Sequence, residues 1–152
     1  MQRYDPSRYI DHASGWHDQG AGDVKSIHTY FFRLKMPPRD HRAVIISEYG
    51  GYSYSEEGHL WREGRQFGYK KFASREDLTG ACLALIKDQL KPMIARGLSG
   101  AVYTQLTDVE TETNGLLTYD RKVLKVDLAA LRRLNEELSY PGSSSIPGSN
   151  RR

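Results

Sequence analysis

The residues best placed to do chemistry lie in the run Ala43-Val44-Ile45-Ile46-Ser47-Glu48-Tyr49-Gly50-Gly51. Four apolar residues, two of them Ile and one Val, predict a short strand buried on both faces, as in a parallel sheet. The strand delivers a carboxylate, Glu48, at its C-terminal end, and two glycines then release the chain. In parallel α/β folds that edge is where ligands bind and catalytic residues sit. The segment alone leaves two readings open: a carboxylate placed for chemistry, and an exposed acid at a loop entrance. Ten Tyr and two Trp accompany it, a supply of rings that suits both sugar-binding clefts and ordinary core packing.

The elements that must position Glu48 follow from pattern and punctuation. Asp5-Pro6-Ser7-Arg8 predicts a helix start, with Asp5 as cap and Pro6 in the first turn. Ala13-Ser14-Gly15-Trp16 reads as the end of a short strand, followed by a glycine-rich loop over 18–23. Residues 23–31 predict a strand, and Pro37-Pro38 break the loop after it. A long loop from Tyr49 to about Ala73 exceeds what a compact domain tolerates without a function for it. Ser74-Arg75-Glu76-Asp77 marks a helix N-terminus, with a Ser cap and acids in the first turn. Leu78, Ala81, Cys82, Leu85, Ile86 and Met93 then recur at helical spacing. Pro92 should loosen that helix and Gly97 should stop it. Residues 99–106 predict a strand, 107–113 a polar loop and 128–138 an amphipathic helix. The Pro/Gly/Ser tail from Tyr140 is too poor in apolar residues to order itself.

Composition narrows the classes. The 152 residues suffice for about one domain with a buried core. The formal charge of +3 comes from 22 basic and 19 acidic residues spread along the chain. No Lys/Arg stripe interleaves with aromatics, so nucleic acid is not an expected partner. The single cysteine, Cys82, cannot form an internal disulfide and is expected in the core. No apolar run approaches the ~18 residues of a membrane span, so no membrane is expected as a partner. The polar start Met-Gln-Arg-Tyr-Asp-Pro-Ser-Arg has no signal-peptide core, making the cytoplasm the default expectation.

The predicted order is strand, strand, strand, helix, strand, helix, with long loops after strand C-termini. It suits part of a (β/α)-barrel, which needs ~250 residues in full. The motifs agree with that. Ile46-Ser47-Glu48-Tyr49-Gly50-Gly51 resembles the seventh barrel strand of glycoside hydrolase family 2, the β-galactosidase and β-glucuronidase family. Residues 97–110, Gly-Leu-Ser-Gly-Ala-Val-Tyr-Thr-Gln-Leu-Thr-Asp-Val-Glu, resemble its eighth strand and loop. Residues 114–122, Asn-Gly-Leu-Leu-Thr-Tyr-Asp-Arg-Lys, resemble the motif closing the barrel. The likeness covers about residues 8–135.

This resemblance implies an α/β fold forming a partial TIM (β/α)8 barrel, approximately strands 5–8 with their helices, over residues 1–138, with a disordered tail at 139–152. It implies a retaining β-glycosidase acting on a carbohydrate substrate, with Glu48 as the catalytic nucleophile and neither cofactor nor metal. Tyr30, where family members place a tyrosine, would donate to Glu48. His28, on the same strand face, would reach sugar hydroxyls, and Trp16 would offer a stacking platform. Gln105 and Asp108, at the end of the last strand, would supply further hydroxyl contacts. The family's acid/base Glu, in an Asn-Glu pair after the fourth strand, is missing from this chain, because Asn135-Glu136 falls in the final helix. Glu112-Thr113-Asn114 lacks the lysine with which glucuronidases hold the sugar carboxylate, which disfavours a uronic acid. Two functional expectations follow: half of a catalytic barrel, or a non-catalytic remnant or interaction module that requires a complementary half-barrel or self-association.

Overall fold

The β-branched run at 43–46 does form a strand, and it stands at the centre of a parallel sheet. The structure, a computed structural model, describes residues 3–12 and 15–138. Among these residues the fold is mixed α/β with few helices. Strands β1 (Val24–Thr29), β2 (Ala43–Gly50) and β5 (Gly100–Thr104) form a three-stranded parallel sheet in the order β1-β2-β5. Beyond the C-terminal end of β2, β3 (Tyr52–Ser53) and β4 (Lys70–Lys71) pair as a second, two-stranded parallel ladder. The long loop expected over 49–73 is therefore partly structured.

Parallel neighbours need a crossover, and between β2 and β5 helices provide it. Helix α1 (Arg75–Leu85) starts as predicted, with the Ser74 Oγ accepting from the Asp77 N–H at 3.0 Å. A π-helical segment, Ile86–Leu90, leads into the short helix α2 (Lys91–Ile94). Pro92 has no N–H for the carbonyl four residues back, and the widened turn directly precedes it. Between β1 and β2, residues 30–42 form no helix. The last helix, α3 (Leu128–Glu136), is capped by Asp127, whose carboxylate accepts from the Ala130 N–H at 2.9 Å.

The helices cover one face of the sheet. Val44, Ile46 and Tyr49 of β2 join Leu78, Cys82, Leu85, Ile86, Leu90, Met93, Ile94, Leu98, Val126 and Leu131 in one buried cluster. Each apolar side chain fully removed from water there contributes roughly 1.5–3 kcal/mol. The expectation of a β2 buried on both faces needs correction, since Ala43 is exposed and Ile45 only half-buried. The opposite sheet face has no helix packed on it among the described residues, and its Val102 is 56% exposed.

Three further sequence expectations differ. Asp5-Pro6-Ser7 makes a turn, not a helix start, because the Asp5 carboxylate takes the N–H only two residues on, that of Ser7, at 3.0 Å. The strand expected to end at Trp16 falls partly outside the described residues. Even so, the Ile10 and Gly15 carbonyls accept from the N–H groups of Asp23 and His28, both at 2.9 Å. The equal offset means that the chain there runs parallel to the free edge of β1. The tail expected at 139–152 lies outside the described residues.

At the N-terminal end of the sheet, Arg42 is clamped between carboxylates. Its side chain is 2% exposed and meets Asp18 and Asp40, each at 2.7 Å. Its hydrogen bonds hold both carboxyls well below the ordinary carboxylate range.

Candidate functional site

A β-bulge decides where Glu48 points. Ile27 of β1 pairs with Ile46, but the next residue, His28, pairs with Glu48, so Ser47 is an extra residue on β2. Before the bulge the even positions Val44 and Ile46 enter the core; after it Tyr49 does. Ser47 and Glu48 both turn to the open face, where the Ser47 Oγ lies 2.5 Å from the Ser26 Oγ. Strict alternation would have aimed Glu48 at the helices.

On the open face, near the C-terminal ends of the strands, Glu48 meets β1. The Tyr30 phenol donates to the Glu48 Oε2 at 2.7 Å. Its oxygen also lies 3.0 Å from the Thr104 Oγ1. A phenol carries one proton, and with that proton on Glu48 the Thr104 hydroxyl is the donor in the second contact. One tyrosine oxygen thus ties the ends of all three strands together. Burial, then the bond to Glu48, drives the Tyr30 phenol well above its ordinary range, which keeps it a proton donor. The His28 Nδ1 lies 3.1 Å from the same Glu48 oxygen, off the line of a hydrogen bond. The His28 side chain is 10% exposed, whereas Glu48 is 41% exposed and open to an incoming molecule.

Trp16 closes one flank. It meets the His28 ring edge-on, centroids 5.4 Å apart, and the Tyr30 ring at 6.1 Å, while remaining 49% exposed. Gly15 makes this approach possible: its φ is +87°, and a Cβ there would fall 2.1 Å from the His28 Cδ2.

The two remaining candidates are occupied by the fold. The Gln105 side-chain amide, just past β5, donates to the Asn114 Oδ1 at 2.6 Å. Asp108 is a correction to the expectation of a hydroxyl contact. Its side chain is 1% exposed, and its Oδ1 accepts from the Lys125 ammonium at 2.6 Å and the Gly115 N–H at 2.8 Å. Lys125, itself wholly buried, also donates to the Tyr54 and Thr113 carbonyls, both at 2.9 Å. Burial pushes the Asp108 carboxyl up and the Lys125 ammonium down, and their mutual bond opposes both shifts. This pair fastens the rim loops together and has no surface to offer a ligand.

Two rim residues escape a sequence reading. Thr104 was findable in principle, since it ends the strand one place before Gln105. Tyr69, which stacks on Tyr30, stands far along the chain from Glu48 in a loop whose path no periodicity reveals.

Among the described residues no group of three or more His, Cys, Asp or Glu is arranged to hold a metal ion, and no helix is long and apolar enough to cross a membrane. No family model matches the chain, and no curated protein matches it either.

Proposed function

We propose that this chain is the C-terminal half of the catalytic (β/α)8 barrel of a retaining β-glycosidase of the family 2 type, approximately strands 5–8, with Glu48 as nucleophile. The observation that carries the reading is the Tyr30–Glu48 bond at the C-terminal rim of a parallel sheet. A nucleophilic carboxylate needs a donor that steadies its charge without giving up its proton, and a phenol driven to high pKa meets that need. The sequential order β1-β2-β5 supports the barrel assignment, as does the parallel run of Ile10 and Gly15 along β1, where a further barrel strand would stand.

In this proposal Glu48 attacks the anomeric carbon and forms a glycosyl ester, while a second carboxylic acid protonates the departing oxygen. Water then enters, deprotonated by that second group, and releases the sugar with retained configuration. Such pairs stand about 5–5.5 Å apart. The proposal assigns the second carboxylate to a complementary half-barrel facing the open side of the sheet. His28 and Trp16 flank the sugar, and Gln105 is left to hold the Asn114 loop.

The test is covalent trapping. A 2-fluoro glycoside with an activated leaving group, given to the chain together with its complementary half-barrel, should label Glu48, as read by peptide mapping. Label on Glu56, Glu57 or Glu110, or an inverted first product from an unmodified substrate, refutes the assignment.

The open sheet face with its exposed Val102 favours a second reading, an interaction module without turnover. Turnover by the assembled halves separates the two, and light scattering of the purified chain tests both: a stable, cooperatively melting monomer that binds no half-barrel argues against any partner-dependent role.

A further inference from the structure

The bond between Tyr30 and Glu48 is only as well aimed as the Tyr30 ring, and that ring is held from outside the sheet. Tyr69, in the segment just before β4, stacks on it with centroids 3.7 Å apart and planes 3° from parallel. Phe31 and Phe67 meet Tyr69 edge-to-face, at 5.3 Å and 5.2 Å. The backbone fixes the same geometry: the Tyr69 N–H donates to the Gly51 carbonyl at 3.1 Å, and the Gly51 N–H donates to the Thr104 carbonyl at 2.9 Å. Gly51 adopts φ +63°, and a Cβ there would fall 2.3 Å from the Tyr69 Cδ2 and 2.8 Å from the Tyr30 Cδ1. Only glycine leaves room for both rings. With the Trp16 ring also near, centroids 6.1 Å apart, Tyr30 has little freedom to swing its hydroxyl off Glu48.

We propose that Tyr69 is a positioning residue for Glu48, acting through the Tyr30 ring, and that Gly51 is glycine to admit the stack. The proposal rests on the glycosidase reading for the use made of Glu48. The clamp itself is a property of the folded chain and is measurable without turnover. Tyr69 acts through its ring face, while its hydroxyl, close to that of Tyr30, adds a smaller influence on the Tyr30 phenol.

The experiment is NMR on the full chain, with Tyr Cε and Cζ and Glu Cδ labelled with ¹³C, for wild type, Tyr69→Phe, Tyr69→Leu and, as reference, Tyr30→Phe. In wild type and Tyr69→Phe, Tyr30 should titrate above the ordinary tyrosine value. In Tyr69→Leu it should titrate closer to that value, and the Glu48 carboxyl carbon should move in the direction that Tyr30→Phe moves it. A role in general stability would shift neither signal while the protein is folded. Unchanged Tyr30 and Glu48 signals in folded Tyr69→Leu overturn the proposal. If Tyr69→Leu does not fold, wild type decides: a clamped Tyr30 ring flips slowly enough to give separate signals for its two edges, and one averaged signal like that of Tyr4 overturns the clamp. Slow flipping with a normal Tyr69→Phe titration supports it. Failure of the 2-fluoro glycoside to label Glu48, with these signals intact, sinks the glycosidase reading and leaves the clamp standing.

Discussion

Replacing Lys125 by Met removes a charge from a place where no water can take over its bonds. The Lys125 ammonium gives its three protons to the Asp108 Oδ1 and to the Tyr54 and Thr113 carbonyls. Met fills nearly the same volume, so the cost is electrostatic rather than a cavity. The Thr113 carbonyl keeps the Tyr54 N–H at 3.2 Å, and the Asp108 Oδ1 keeps the Gly115 N–H. The Tyr54 carbonyl is left with no replacement donor, and the Asp108 carboxylate is left buried without its counter-charge. Removing one partner of a buried pair costs about 3–5 kcal/mol. For a chain of this size that lowers the melting temperature by on the order of 10–20 °C. The deficit has a pH signature. Without Lys125, burial outweighs the one bond left to the carboxylate, that from the Gly115 N–H, so its folded pKa lies above its unfolded value of 3.8. The stability of Lys125→Met is fully present below that unfolded value and is lost as pH rises through the folded one. Its gap to wild type therefore narrows toward pH 4. Urea melts at pH 4.5 and 7.5 measure this, and the double variant Lys125→Met/Asp108→Asn should recover part of the loss. A cost below about 1 kcal/mol, or a double variant as unstable as the two single losses added, would refute the reasoning.

Leu78 is wholly buried between α1 and the sheet, so Leu78→Ala should cost about 2–5 kcal/mol by chemical denaturation. Gly15→Ala should displace His28 from Glu48, because the new methyl and the imidazole cannot share the space; the His28 ring signals in NMR check it. Thermal stability should hold up to about pH 10 and fall above it. Tyr30, Tyr52, Tyr69 and Tyr103 have folded pKa values raised above the ordinary 10, so the unfolded chain ionises first; absorbance at 295 nm during alkaline melts reads it. At the acid end, Asp18 and Asp40 are depressed by Arg42. Their stabilisation is present above pH 3.8 and is lost as pH falls through their folded values, so an Arg42→Met chain should show a weaker loss below pH 4 in circular dichroism melts.

Local rules made the main elements legible. Ser74 ahead of two acids announced α1, the apolar positions from Leu78 to Met93 outlined the buried face of the helical stretch from α1 to α2, and the Ile-Val run announced the central strand. What stayed hidden depends on contacts between distant segments. Ile45-Ile46 are apolar on both sides of the alternation, so nothing in the run signals that the pleat slips at Ser47. Asp108, expected to reach sugar hydroxyls, and Lys125 are both charged in loop-like surroundings, where no spacing pairs them; only the packed rim shows that they were buried to meet each other. Tyr69 lies in a stretch punctuated by glycines, where neither a 2-residue nor a 3.6-residue period reports on neighbours. The candidate site is therefore half legible: Glu48, Tyr30 and His28 come from strand endings, whereas the groups that hold them come from the loops.

The extra residue at Ser47 separates two demands that a regular strand would force into conflict. Hydrophobic selection fixes the facing of Val44 and Ile46, and the aromatic contact of Tyr49 with Tyr103 fixes the other end. With the slip between them, the facing of Val44 and Ile46 no longer dictates which way Glu48 points. Inserting one residue into β1 opposite Ser47 would leave every side chain of β2 in place chemically, yet would restore strict alternation. The carboxylate would then be driven toward the helices and Tyr49 out of the core, whereas deleting Ser47 would leave both facing as they do. One inserted residue thus lets the packing of this strand and its polar end vary independently, so that substitutions in the hydrophobic half can accumulate without re-aiming the acid.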